Sequence, residues 1–170
     1  MEILKAVKER RSIRNFQKKD IPRDLVDELI EALLWAPSAG NLQARKFYFI
    51  EDEKLKKEIV PAALGQSFIA EAPLVIIACT DNMIFGRYGD RGVNLYAIQD
   101  VAASIMGMML VAHENGLGTV WVGAFREDRV IEVLDIPKNL RPIAIVPVGY
   151  PSKVPSPPQR VSRQSAVEFR

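Results

Sequence analysis

Apolar and polar positions along this chain fall into blocks whose spacing predicts one element after another. Residues 2–10 carry apolar side chains at helical spacing and predict a short helix. Pro22 opens a second one, in which Leu25, Leu29 and Leu33 run beside Val26, Ile30 and Leu34 as a two-row stripe until Pro37 stops it. A strand is expected at 46–51, a charged helix over 53–63, and a buried strand at 74–80, where Leu74-Val-Ile-Ile-Ala-Cys79 has no polar position. Residues 81–91, rich in Gly and Asp, read as a loop. The longest helix follows over 94–115 and ends at Gly116, a residue suited to a helix cap. It is apolar on nearly every face between Val101 and Ala112, which calls for burial on more than one side and suggests a subunit interface. A strand at 119–123, a short helix at 127–134 and a strand at 143–148 complete the pattern. This helix-rich, non-alternating order predicts an α+β fold over residues 1–150, a sheet flanked by helices rather than a βαβ array. From Pro151 the run Pro-Ser-Lys-Val-Pro-Ser-Pro-Pro-Gln-Arg is extended, so residues 151–170 form an arm that needs a surface to lie on.

Composition narrows the class. With 170 residues, 48% of them apolar and 26% charged, the chain can bury one proper core and is not disordered. The excess of 23 basic over 21 acidic side chains, a net charge of +2, is too small to argue for nucleic acid, so any anion site must be local. Cys79 is the only cysteine; no intrachain disulfide can form, and a buried thiol in a reducing, cytoplasmic setting is expected. The start Met1-Glu-Ile-Leu-Lys has no signal-peptide apolar region, and the charge-free stretch 101–112 is short of a membrane span, so no membrane partner is expected.

Several chemistries can be set aside. One His and one Cys cannot build a His/Cys zinc site, so no metal is expected. His113 lies with Met106, Met109 and Leu110 at helical spacing and reads as a core or helix-end residue. A Ser-His-Asp triad would need it, and Gly65-Gln-Ser-Phe-Ile69 lacks the second glycine of a nucleophile elbow. Gly116-Leu-Gly118 sits between a helix and a strand, with Trp121 where a dinucleotide fingerprint needs its third glycine. A nicotinamide cofactor would therefore be a transient substrate. The stretch Glu9-Arg10-Arg11-Ser12-Ile13-Arg14-Asn15-Phe16 is different: guanidinium forks bind phosphate bidentately and a serine hydroxyl adds a neutral donor. Its plain alternative is a solvated basic face, just as Pro37-Ser38-Ala-Gly-Asn41 could simply turn the chain after a helix.

The basic stretch, Ala36-Pro-Ser-Ala-Gly-Asn-Leu-Gln43, Gly116-Leu-Gly-Thr-Val-Trp-Val-Gly-Ala-Phe125 and Pro147-Val-Gly-Tyr-Pro151, in this order, resemble the nitroreductase family of FMN-dependent flavoproteins over nearly the whole chain. The resemblance implies a central, mostly antiparallel sheet flanked by helices, in a homodimer whose C-terminal arm is exchanged onto the partner subunit. It implies FMN with Arg10 and Ser12 on its phosphate, Arg11 beside them or merely solvated, and the Arg14 cation near N1 and O2. Pro37, Ser38, Asn41 and Gln43 would reach the flavin from the other subunit, and Arg160 or Arg163, the latter favoured, would join the phosphate. The backbone of Gly123 and Ala124 would meet flavin N5, with no side chain acting as acid or base. Trp121 is expected beneath its strand. The implied activity is an NAD(P)H oxidoreductase reducing nitroaromatics, quinones or similar small acceptors by ping-pong hydride transfer; a non-catalytic flavin-binding or regulatory protein of the same fold is the alternative. Two departures stand out: Gln43-Ala44-Arg45 replaces the family's frequent Gln-Pro-Trp, and the chain is short, without the longer helices that cover the site in many members.

Overall fold

The computed structural model describes residues 2–170; Met1 lies outside the described residues. Two helices come first, α1 (Ile3–Glu9) and α2 (Arg23–Leu34), and the strand β1 (Arg45–Ile50) follows a tight loop. Next come α3 (Glu53–Ala62), the short α4 (Phe68–Glu71) and β2 (Leu74–Asp81). Then α5 (Phe85–Arg91) passes through a π-helical turn, Gly92–Tyr96, into the long α6 (Ala97–Glu114). The chain ends with β3 (Gly118–Thr119), α7 (Glu127–Leu134), β4 (Leu140–Gly149) and a turn of helix, α8 (Arg163–Ala166), in the arm.

The strands form one antiparallel sheet in the order β1-β2-β4-β3. Its two central strands are apolar over 74–79 and 142–149, where both faces are covered, and the alternation of a pleated strand sorts their side chains. Val75, Ile77, Cys79 and Ile145 face Ile59 of α3 and Val130 of α7. Leu74, Ile76, Ala78, Ala144, Val146 and Val148 face Leu29 and Leu33 of α2 and Val101, Ile105 and Met108 of α6. The α+β class and the flanked sheet expected from the sequence are thus what the chain builds. Cys79 is fully buried, and burial pushes its thiol up to about 12. At the end of α6, Gly116 takes a φ of 75° while Gly116 N donates to His113 O and Leu117 N to Ala112 O, closing the helix as its cap position predicts.

Three local expectations need correction. Where a loop was expected at 81–91, Asp81 ends β2 and 82–91 are helical: a 3₁₀ turn, Asn82–Ile84, leads into α5. Gly86 and Gly89, which suggested a loop, have open space where a Cβ would be; close packing comes just after, at Gly92, where a Cβ would lie 2.8 Å from Tyr88 Cβ. The strand expected at 119–123 is paired only over Gly118–Thr119 plus an isolated bridge from Val122 to Ile145, because this edge of the sheet also receives the segment after α1. Trp121 is not beneath a strand but 39% exposed. The run from Asn82 to Glu114 is long and apolar enough by length to cross a bilayer, yet its inner residues belong to the core under the sheet.

Candidate functional site

The basic segment is fixed by its apolar members. Beyond α1 the chain becomes extended; Ser12 forms a parallel bridge with Thr119, Ile13 N donates to Thr119 O at 2.9 Å, and Phe16 pairs with Pro151. Ile13 and Phe16 are buried, and Ile13 lies so close to Gly118 that a Cβ there would sit 2.5 Å from its Cγ1. These anchors hold Arg10, Arg11 and Arg14 at the β3 edge, Arg14 exposed and Arg10 and Arg11 half-buried.

Arg10 is the most confined of them. Its Nε and Nη1 are buried and have no partner among the described residues, and burial first, then the charges of Arg11 and Arg160, lower its pKa. A buried cation with orphaned donors beside two further positive charges is an arrangement completed by an anion. The adjoining cavity, about 160 Å³, is lined by Arg10, Arg11, Ile13, His113, Thr119 and Val154 among others, and His113 Nε2 and Thr119 Oγ1 are also buried without partners. Arg11 has a structural task, its Nη1 donating to Lys8 O at 2.7 Å and Arg10 O at 2.9 Å, which closes the carbonyl end of α1. Arg14 is exposed, its guanidinium 6.0 Å from the Phe68 ring. Of the two arm arginines, Arg160 is near enough for its charge to act on Arg10, whereas Arg163 rests 5.8 Å from the ring of Phe169 within the arm itself.

The loop after α2 is shaped by unusual backbone. Gly40, Asn41 and Gln43 have φ of 56°, 55° and 53°, a left-handed conformation that costs free energy for the two non-glycine residues. Internal bonds support it: Ser38 Oγ accepts from Gln43 N at 3.1 Å, and Asn41 Oδ1 accepts from Gln43 Nε2 at 3.3 Å. The amide edges of Asn41 and Gln43 are exposed, as is Pro37, while Ser38 is half-buried.

The segment after β3 presents backbone. Gly123 and Ala124 are exposed, and no protein atom other than the Trp121 indole lies within 4 Å of a Cβ added at Gly123. Gln66 Nε2 donates to Ala124 O at 3.1 Å from the turn between α3 and α4, where Leu64 and Gly65 are both left-handed. This turn brings Gln66 and Phe68 beside the candidate residues, a placement the sequence reading missed because it weighed 65–69 only as a nucleophile elbow. The consecutive Leu64-Gly65 break after a capped helix was the available signal. A larger cavity of about 790 Å³ lies elsewhere, between Phe16–Ile21 and α3; its four lysines are balanced by Asp20, Glu51, Glu53 and Glu71, so it has no charge preference.

Comparison with known proteins identifies the family and the fold. The model of the nitroreductase family matches residues 7–82 and 62–150. An NADH dehydrogenase of Thermus thermophilus is 32% identical, with 97% of this chain and 94% of that protein covered. An FMN reductase (NAD(P)H) of Bacillus subtilis is 31% identical over 89% of this chain and 66% of its own length. The crystal structure of a nitroreductase family protein from Clostridium novyi NT superposes with a TM-score of 0.81 at 32% identity, covering 89% of this chain and 86% of that one.

Proposed function

Because this chain belongs to the nitroreductase family, we propose that it is an FMN-dependent NAD(P)H oxidoreductase acting on small electron acceptors such as nitroaromatics or quinones. The observation that carries this reading is Arg10, a half-buried cation whose Nε and Nη1 have no partner among the described residues and which stands beside Arg11 and Arg160. That donor set suits a phosphate monoester, with Ser12 as a neutral donor. Arg160 is the arm residue we assign to the phosphate, since Arg163 is engaged with Phe169.

Asn41 and Gln43 offer both donors and acceptors to hydroxyls and to the pyrimidine edge of the ring, with Pro37 and Ser38 shaping the loop. The backbone of Gly123 and Ala124, held by Gln66, offers the close approach that a flat ring requires. Arg14, exposed and free to lie along the ring edge, would favour the anionic reduced form. The chemistry such a cofactor supplies is hydride carriage at N5 between NAD(P)H and the acceptor, in ping-pong order; the protein's share is to bind, orient and tune.

The site also calls for a second subunit. Ile3, Leu4 and Val7 on α1, Leu34 and Trp35 after α2, and Met106 on α6 expose apolar surface, and Val161, Val167 and Phe169 do so on the arm. A homodimer in which the arm lies on the partner would cover them.

Protein purified with added FMN and freed of excess should keep a flavin spectrum that bleaches under anaerobic NADH or NADPH and returns with an acceptor. Flavin retained without bleaching would make this a flavin-binding protein; no retained flavin would remove the assignment altogether.

A further inference from the structure

Arg45 stands where the family pattern frequently has an aromatic residue, and its side chain is turned onto the carbonyl end of α2. Nη2 donates to Leu34 O at 2.8 Å and Ala36 O at 2.9 Å, and Nη1 reaches Pro37 O at 3.4 Å. One guanidinium thus ties the last carbonyls of the helix to the first residues of the loop, where the negative end of the helix dipole also favours a cation. On the far side of the loop, Asp100 in the first turn of α6 accepts from Ala39 N at 3.0 Å through Oδ1. Its Oδ2 is buried without a partner, and its charge acts back on Arg45, raising a pKa that burial lowers. Tyr88 closes the remaining side, its hydroxyl lying 2.5 Å from where a Cβ on Gly40 would be.

Left-handed Asn41 and Gln43 persist only if their surroundings over-determine them. The loop's own bonds, Asn41 N to Ser38 O, Leu42 N to Ala39 O, Gln43 N to Ser38 Oγ and Gln43 Nε2 to Asn41 Oδ1, turn the chain locally but do not tie it to the body; the contacts that do so come from Arg45 and Asp100. We infer that Arg45, acting with Asp100, is the positioning residue that holds loop 37–43 in its strained shape ready for the flavin. The fork of a guanidinium is what the task needs: three carbonyls from two chain directions are engaged by one planar group, which an ammonium cannot reproduce. The inference rests on the reading that this loop meets the flavin, and it makes the Ala44-Arg45 departure a substitute for the aromatic residue.

The test compares wild type with Arg45→Ala, Arg45→Lys and Asp100→Asn. Native-state hydrogen exchange at the Ala39, Asn41, Leu42 and Gln43 amides is followed without flavin, and FMN affinity is measured by fluorescence quenching. Exchange at these amides should quicken by about tenfold or more in Arg45→Ala while the amides of β2 and β4 stay protected, and FMN affinity should fall by a similar factor. Millimolar guanidinium should restore both in Arg45→Ala, and Arg45→Lys should recover only part. Unchanged loop exchange in both Arg45→Ala and Asp100→Asn would overturn the clamp; quickened exchange with unchanged FMN affinity would overturn its role in binding. Wild-type protein that takes up no FMN would refute the flavin reading instead, and the exchange data alone would then decide whether the clamp exists.

Discussion

Arg10 shows how one side chain can be prepared for a ligand before the ligand arrives. Half-buried, with two donors facing no acceptor among the described residues, it bears a desolvation cost that an incoming phosphate would offset. Arg10→Ala should therefore weaken FMN binding by about 2–4 kcal/mol, as when one partner of a desolvated charge pair is truncated. The same change should leave riboflavin, which has no phosphate, bound as before; equal losses for both flavins in parallel titrations would show that Arg10 acts only through the fold. The arginine cluster was legible in the sequence because charge and spacing are local properties. Gln66 was not, since its bond to the Ala124 carbonyl joins positions 58 apart and exists only once α3 and α4 have packed. Nor was Arg45, whose importance lies in carbonyls that a helix leaves unsatisfied at its end.

At the scale of elements, the periodic helices and the apolar strands were readable, and the irregular pieces were not. Pro22 and Gly116 marked helix ends because proline and glycine act on the backbone directly. In 82–91 the glycines misled, since the helical turns there are held by packing: Ile84 and Ala97 are buried together, and Tyr88 meets Tyr96 edge to face at 5.3 Å. The link between α7 and β4 gives a test that does not involve the site. Glu127 takes a bidentate pair of bonds from Arg141, at 2.8 Å each, and the hydrogen bond from Arg141 holds its carboxyl below the usual value. Because the folded pKa is the depressed one, the pair's contribution is complete above the unfolded value of about 4.5 and is lost as pH falls through the folded one. Both side chains are about half exposed, so the effect should stay near 0.5–1 kcal/mol. Glu127→Gln should lower the thermal midpoint slightly at about pH 7, and the difference should shrink toward about pH 3. A gap that persists in acid would assign the effect to packing.

As a whole molecule, the chain is a closed sandwich of sheet and helices with an open end. Its arm leaves the body at Pro151, where Gln17 Nε2 donates to Pro151 O and Ser152 N to Asn15 O, and from Ser152 onward every residue is exposed. Twenty residues of proline-rich chain would not hold a defined course alone, and in the proposed homodimer the partner subunit would give the arm its order. Deleting residues 154–170 spares those anchoring bonds. It should raise the dimer dissociation constant by about tenfold or more in sedimentation equilibrium and weaken FMN binding through loss of Arg160. An intact dimer of undiminished affinity would place the interface on the helices alone.

The seclusion of Cys79 bears on survival in use. Reduced flavins pass electrons to oxygen, and an enzyme of this kind would work in the peroxide it produces. Oxidation of a cysteine begins from the thiolate, and with a pKa of about 12 only roughly one thiol in 10⁵ is ionised at neutral pH. Packed between the sheet and the α3–α7 layer, the sulfur is closed to solvent as well. With no other cysteine in the chain, the protein has no residue from which sulfenic acid or an intersubunit disulfide could readily form, and its thiol chemistry stays silent while it turns over.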